Sequence, residues 1–192
     1  MQRSQYYNPD EVATLRKAAR ARAAQGRKAD VVACLLVEVA LELGLRVNEL
    51  GRLRLGDFDF SRGSVRVYRS KRGKPSWDIL PMSNHLSTVV LQHMAQRSSI
   101  APEEALFEGQ RGPMTRKGLQ KAWNRMVAAS GLPHLSIHGA RHTLGTNLRR
   151  ATGDLHMVQE VLGHSSIHTT AKFYDHIEWD EKVAALNGTY DG

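Results

Sequence analysis

A mostly α-helical domain with one small antiparallel sheet (α+β) is the fold class that this sequence predicts. Three observations carry that expectation. Apolar residues recur at helical spacing over most of the 192 residues. Only between Phe58 and Leu80 does the pattern change to alternation with period two. Glycine and proline mark the breaks between segments, with no internal repeat, low-complexity tract or long linker.

The elements follow in order. Asn8-Pro9-Asp10-Glu11 is a helix start: a capping Asn, Pro in the first turn, and acids at the positive end of the helix dipole. That helix runs to about Gln25, and Gly26 closes it. Ala29–Leu43 is strongly apolar and predicts the buried central helix, ended by Gly44 in a left-handed turn. A short helix from Val47 to about Leu53 follows. Phe58-Asp59-Phe60, Ser64–Tyr68 and Trp77–Leu80 predict strands, with Ser70–Pro75 as a basic hairpin tip and Pro81 as the end of the sheet. The remainder predicts helices at Ser83–Arg97, Thr115–Ser130, His138 to about Arg150, Asp154–Leu162 and Ser166–Tyr174, with a weaker one at Glu178–Leu186. Thr115, Asp154 and Ser166 serve as N-caps.

Composition narrows the function. A net charge of +8 and a pI of about 9.9 favour an anionic partner, and the charge is spread along the body of the chain. The single cysteine, Cys34, lies in an apolar run, reads as a small core residue and excludes an intramolecular disulfide. No apolar run approaches the roughly 20 residues of a membrane span, and Met1–Tyr7 has no apolar centre of the signal-peptide kind. The expectation is a cytoplasmic protein.

Between His138 and Tyr174 stands a set of residues suited to attack on a phosphate: His138-Gly-Ala-Arg141-His142, Leu162-Gly163-His164-Ser165-Ser166 and Phe173-Tyr174-Asp175-His176. Breaking a phosphodiester without a metal needs a nucleophile, fixed cations for the developing charge and a proton for the leaving oxygen. Tyrosine can attack, but roughly one phenol in a thousand is ionised at neutral pH, so positive charge must stand beside it. Arginine is the natural phosphate clamp, because its planar fork donates two parallel bonds and keeps its charge. His138, Arg141 and His142 fall at i, i+3 and i+4, on one helix face. The pairs His138/His142 and His164/His168 also have metal-binding spacing. Arg141 would repel a cation from the first pair, and no acid adjoins either in the metalloprotease manner, so no metal site is read.

Leu43–Leu50, the basic hairpin, Ile137–His142, Leu162–Thr170 and Tyr174–His176, in that order, resemble the motifs of the tyrosine recombinase (phage integrase) family. The resemblance covers the chain from about Pro9. It implies the catalytic-domain fold of that family and a site-specific recombinase or integrase that cuts and rejoins DNA through a 3′-phosphotyrosyl link, with no cofactor, metal or ATP. Position by position it implies Arg46 and Arg141 as the clamp on the scissile phosphate. Lys71 is implied as the acid for the leaving 5′ oxygen, His138 as a phosphate contact that takes the tyrosine proton, and His164 as a further donor. Tyr174 is implied as the nucleophile and Glu49 as support for Arg46. Arg72 and Lys74 join Arg46, Lys71 and Arg141 as expected DNA contacts.

The implied partner is duplex DNA, with a homotetramer on DNA and mainly monomer without it. The implied layout is an extension over residues 1–8, the catalytic domain over 9–177 and a tail over 178–192 that docks on a neighbouring protomer. The family's enzymes usually carry a helical clamp domain before this one, so the chain corresponds either to an excised domain or to a short recombinase without the clamp. A catalytically weak DNA-binding regulator on the same fold is the alternative function. Beside these sharper readings, Trp77 and Trp123 read as packing residues, His142 as structural, and His134, His156, His168 and His176 as surface or capping residues.

Overall fold

A computed structural model describes residues 6–71 and 74–163, at positions 70, 71, 74 and 75 as backbone course only. Arg72, His164, Tyr174 and the expected helices Ser166–Tyr174 and Glu178–Leu186 lie outside the described residues.

The described chain is seven helices and five short strands: α1 (Pro9–Ala23), α2 (Lys28–Leu43), α3 (Val47–Leu50), β1 (Phe58–Asp59), β2 (Ser64–Lys71), β3 (Lys74–Pro81), α4 (Asn84–Ala95), β4 (Glu108–Gly109), β5 (Gly112–Pro113), α5 (Arg116–Ser130), α6 (Ile137–Thr152) and α7 (Leu155–Leu162). A single 3₁₀ turn over Leu55–Asp57 leads into β1. This is the expected class, mostly helical with small antiparallel sheets. The capping chemistry works as the sequence implies. Asn8 and Glu11 form a reciprocal capping box on α1, and Thr115 and Asp154 cap α5 and α7 through their side chains.

The apolar α2 is the centre, with α1, α4, α5 and α6 packed around it. Glu38, one of its two buried acids, accepts from Arg20 at 2.7 Å and stands in ion-pair contact with Arg16 at 2.9 Å and His85 at 3.1 Å, which offsets the cost of taking a carboxylate out of water. Cys34 is half-buried, and burial pushes its thiol up to about 11, as suits an inert packing residue. Trp123 is fully buried and donates its indole N–H to the Leu135 carbonyl at 2.9 Å. Before α1, Tyr7 donates its backbone N–H to Thr143 at 3.0 Å and its hydroxyl to the Pro133 carbonyl at 2.7 Å, which ties the start of the described chain to α6.

Strands β1, β2 and β3 form one antiparallel sheet with Val65 opposite Leu80 and Tyr68 opposite Trp77. Val65, Val67 and Leu80 face the core. Arg66, Tyr68, Trp77 and Ile79 face outward, and Trp77 is 55% exposed, stacked under the Arg66 guanidinium at 4.7 Å and edge-on to Tyr68 at 5.3 Å. Trp77 is thus a packing residue, and the packing is on the outer face of the sheet. The sequence reading also missed the β4–β5 hairpin, and it carried α3 three residues too far, since the helix ends at Leu50 and the chain turns at Gly51. Among the described residues, no helix is long and apolar enough to cross a membrane.

Candidate active site

Four segments meet at one end of the molecule: the turn between α2 and α3, the first turns of α6, the end of α7, and β2. The first is shaped by Gly44, which closes α2 at φ 56°. A Cβ there would also stand 2.8 Å from Leu162 and 2.9 Å from Leu144, so the residue must be glycine for both backbone and packing. Two residues on, Arg46 is the N-cap of α3. Glu49 accepts the Arg46 backbone N–H at 2.7 Å and its guanidinium at 3.0 Å. Glu49 is buried while the Arg46 side chain is about half exposed. The acid therefore holds a cation that still faces solvent.

Arg141, from α6, is 2% exposed. It donates to the Gly44 carbonyl at 2.8 Å and to the Leu162 carbonyl at 2.6 Å. One guanidinium thus joins the turn that carries Arg46 to the end of the helix that precedes His164. His138 sits at the surface in the first turn of α6, near the positive end of its dipole. Partial burial, then the charges of Arg141 and Arg46, hold its imidazole below the usual histidine range. His142 packs edge-on against it at 4.8 Å; burial, then His138 and Arg141, pull its pKa down to about 4. Both rings are neutral at pH 7, and a neutral His138 is able to accept a proton.

The structure adds a residue that sequence reading passed over. Arg69, on the inner side of β2, is 1% exposed and donates to the same Leu162 carbonyl at 2.6 Å, with a longer contact to the Val161 carbonyl at 3.4 Å. Its Nε lies 3.3 Å from the Asp78 carboxylate, an ion-pair contact without hydrogen-bond alignment. Burial lowers its pKa, while Glu49 and Asp78 oppose that, so it lies within electrostatic range of the Arg46–Glu49 pair. Gly163 makes room for it: φ is 63°, and a Cβ there would overlap the Arg69 guanidinium at 1.1 Å. The one signal in the sequence was parity, since Arg69 continues the inward series of Val65 and Val67.

Of the expected site residues, Arg46, Glu49, His138 and Arg141 are brought together. Lys71 and Lys74 are the paired positions that close the β2–β3 hairpin. Chemically, the cluster offers an exposed cation, a buried arginine, a neutral histidine and a helix N-terminus, the elements of an anion site. Among the described residues, no group of three His, Cys, Asp or Glu stands together in a metal-binding arrangement.

A profile described as the phage integrase family matches residues 5–180. The chain belongs to the phage integrase family. Among its relatives, tyrosine recombinase XerC of Corynebacterium efficiens is 36% identical over 154 residues, 79% of this chain and 48% of that protein. XerC of Haemophilus ducreyi is 35% identical over 166 residues, 84% of this chain and 53% of that protein. The chain thus spans about half the length of the curated relatives it matches. The crystal structure of XerA recombinase superposes on 97% of this chain and 66% of that one, with a TM-score of 0.77 at 24% identity. XerH recombinase, solved in a pre-cleavage complex with its difH substrate, superposes with a TM-score of 0.71 at 22% identity, over 97% of this chain and 55% of that one. At these identities the structural likeness speaks for the fold.

Proposed function

We propose that this chain is the catalytic domain of a site-specific recombinase acting on duplex DNA. The observation that carries the reading is the Arg141 guanidinium, bonded to the Gly44 carbonyl 97 residues away, which holds the Arg46 turn against α6. Family membership supports it, as does the solution of a structural neighbour on DNA.

In this reading Arg46 and Arg141 hold the non-bridging oxygens of the scissile phosphate, and Glu49 aims Arg46. The Tyr174 oxygen attacks phosphorus while neutral His138 takes the phenol proton. The bond to the 5′ oxygen breaks, and Lys71 supplies the proton that makes it a 5′-hydroxyl. His164 donates to the phosphate. The product is a 3′-phosphotyrosyl link, which conserves the bond energy, so a 5′-hydroxyl can reverse the step with no external energy source. Arg72 and Lys74 add contacts to the backbone, where affinity falls steeply with salt. Four protomers on two duplexes complete an exchange, with residues 178–192 docking between neighbours, and the chain is mainly monomeric without DNA.

The test uses a library of duplexes with randomised half-sites and a nick beside the cleavage position, which traps the covalent product. The parent should form a protein–DNA adduct stable to denaturation, and Tyr174→Phe should form none. Adduct persisting in Tyr174→Phe overturns the nucleophile. DNA binding without adduct from the parent replaces the enzyme by a DNA-binding regulator.

A further inference from the structure

We infer that Arg69 is a positioning residue: it fastens the β2–β3 hairpin to the Leu162–Gly163 turn and so sets where Lys71 stands when the 5′ oxygen leaves. This rests on the recombinase reading above.

Stability alone does not explain an arginine at position 69. Before it on that side of β2 stand Val65 and Val67, both buried, while across the ladder it faces Ser76 and, diagonally, Asp78, both partly buried. An apolar residue would fit the series, and exchanging a buried charge for a well-packed apolar side chain is often neutral or stabilising. What an apolar residue lacks is direction. Arg69 makes a 2.6 Å bond to one named carbonyl, that of Leu162, 93 residues away. Arg141 takes the same oxygen at 2.6 Å. The hairpin and Arg141 are therefore both referenced to a single atom.

The surroundings are built for this contact. Gly163 leaves the space that the Arg69 guanidinium fills. Asp78, opposite Val67 on β3, steadies Arg69 from the second strand, so both strands of the hairpin are tied to the turn. Position 71 follows two residues later along β2, at the end of the strand. The ladder from Arg69 to the paired positions 71 and 74 is short, so losing the anchor loosens the backbone that carries Lys71.

The experiment separates this role from a merely structural one through the leaving group. Adduct formation by the 192-residue chain is timed on two nicked duplexes, one ordinary and one with sulfur replacing the bridging 5′ oxygen. The sulfur leaves as a thiolate and needs no proton. Arg69→Met should slow the ordinary reaction about 10- to 100-fold, part of what a general acid is worth, and the sulfur reaction less than about threefold. Asp78→Asn should give a smaller loss with the same rescue, and it decides the matter if Arg69→Met does not fold. Equal losses on both duplexes in a folded variant, or no loss on the ordinary one, would overturn the inference. No adduct from the parent on either duplex sinks the recombinase reading itself.

Discussion

Gly163→Ala is the sharpest probe of the packed turn at the end of α7. Two costs add. At φ 63° an alanine sits in the left-handed region, which costs about 1–2 kcal/mol. Its Cβ would also fall 1.1 Å from the Arg69 guanidinium, a distance at which one group must leave. Arg69 then gives up the Leu162 carbonyl, a bond from a charged donor worth about 1.5–3 kcal/mol. The expected loss is about 3–5 kcal/mol, a large share of the roughly 5–15 kcal/mol of a typical domain. Urea unfolding of a double-mutant cycle isolates the second cost. In an Arg69→Ala background the collision is gone, so Gly163→Ala should cost only the backbone strain, leaving a coupling of about 2 kcal/mol. Equal costs in both backgrounds would refute the packing argument, as would a loss below about 1 kcal/mol in the parent.

Two further changes test the frame around the site. Arg141→Lys keeps the charge but cannot reach the Gly44 and Leu162 carbonyls together, so either Gly44 loses this donor or the Leu162 oxygen is left to Arg69 alone; thermal unfolding should fall by about 4–10 °C, and an unchanged midpoint would show that the fork is not structural. His93 is 9% exposed, borders a cleft of about 460 Å³ between α2 and the loop after α4, and has its pKa lowered to about 4 by burial, then by Arg97 and Lys28. The folded protein resists protonating it, so its contribution to stability is whole above pH 6.5 and is lost as pH falls from there toward 4. His93→Phe should therefore remove on the order of 2 kcal/mol of the stability difference between pH 7 and pH 5, read by urea unfolding at both; an unchanged pH dependence would count against it.

Helix positions were legible because their determinants are local. Asn8 with Glu11, Thr115 and Asp154 are caps that work over three residues, and the closing glycines 44, 131, 153 and 163 declare a left-handed turn within one. The β4–β5 hairpin was not legible, since two-residue strands have no period to detect. That Trp77 packs on the outer face was not legible, for a physical reason. On β3 the partly buried residue is Asp78, drawn inward by Arg69, while Trp77 and Ile79 point out, so polarity runs opposite to the usual alternation. At the site, His138 and Arg141 were legible as residue types at helical spacing, whereas Arg46 and its pairing with Arg141 came from the resemblance alone. Spacing could not show that meeting, because it depends on backbone carbonyls, Gly44 and Leu162, that any residue would supply.

The shared carbonyl has a consequence for how the protein is made. Arg46 and the hairpin emerge from the ribosome early, but the oxygen that both Arg69 and Arg141 require belongs to residue 162. Until that residue has left the exit tunnel and docked, the two guanidiniums lack their shared acceptor, and the apolar turn at Gly44 has no Leu162 to close it. The nascent chain therefore carries Arg69 and Arg141 before the oxygen that aligns them. The segments that meet at this end of the molecule therefore lock together only once α7 has been made, however early the first of them folds.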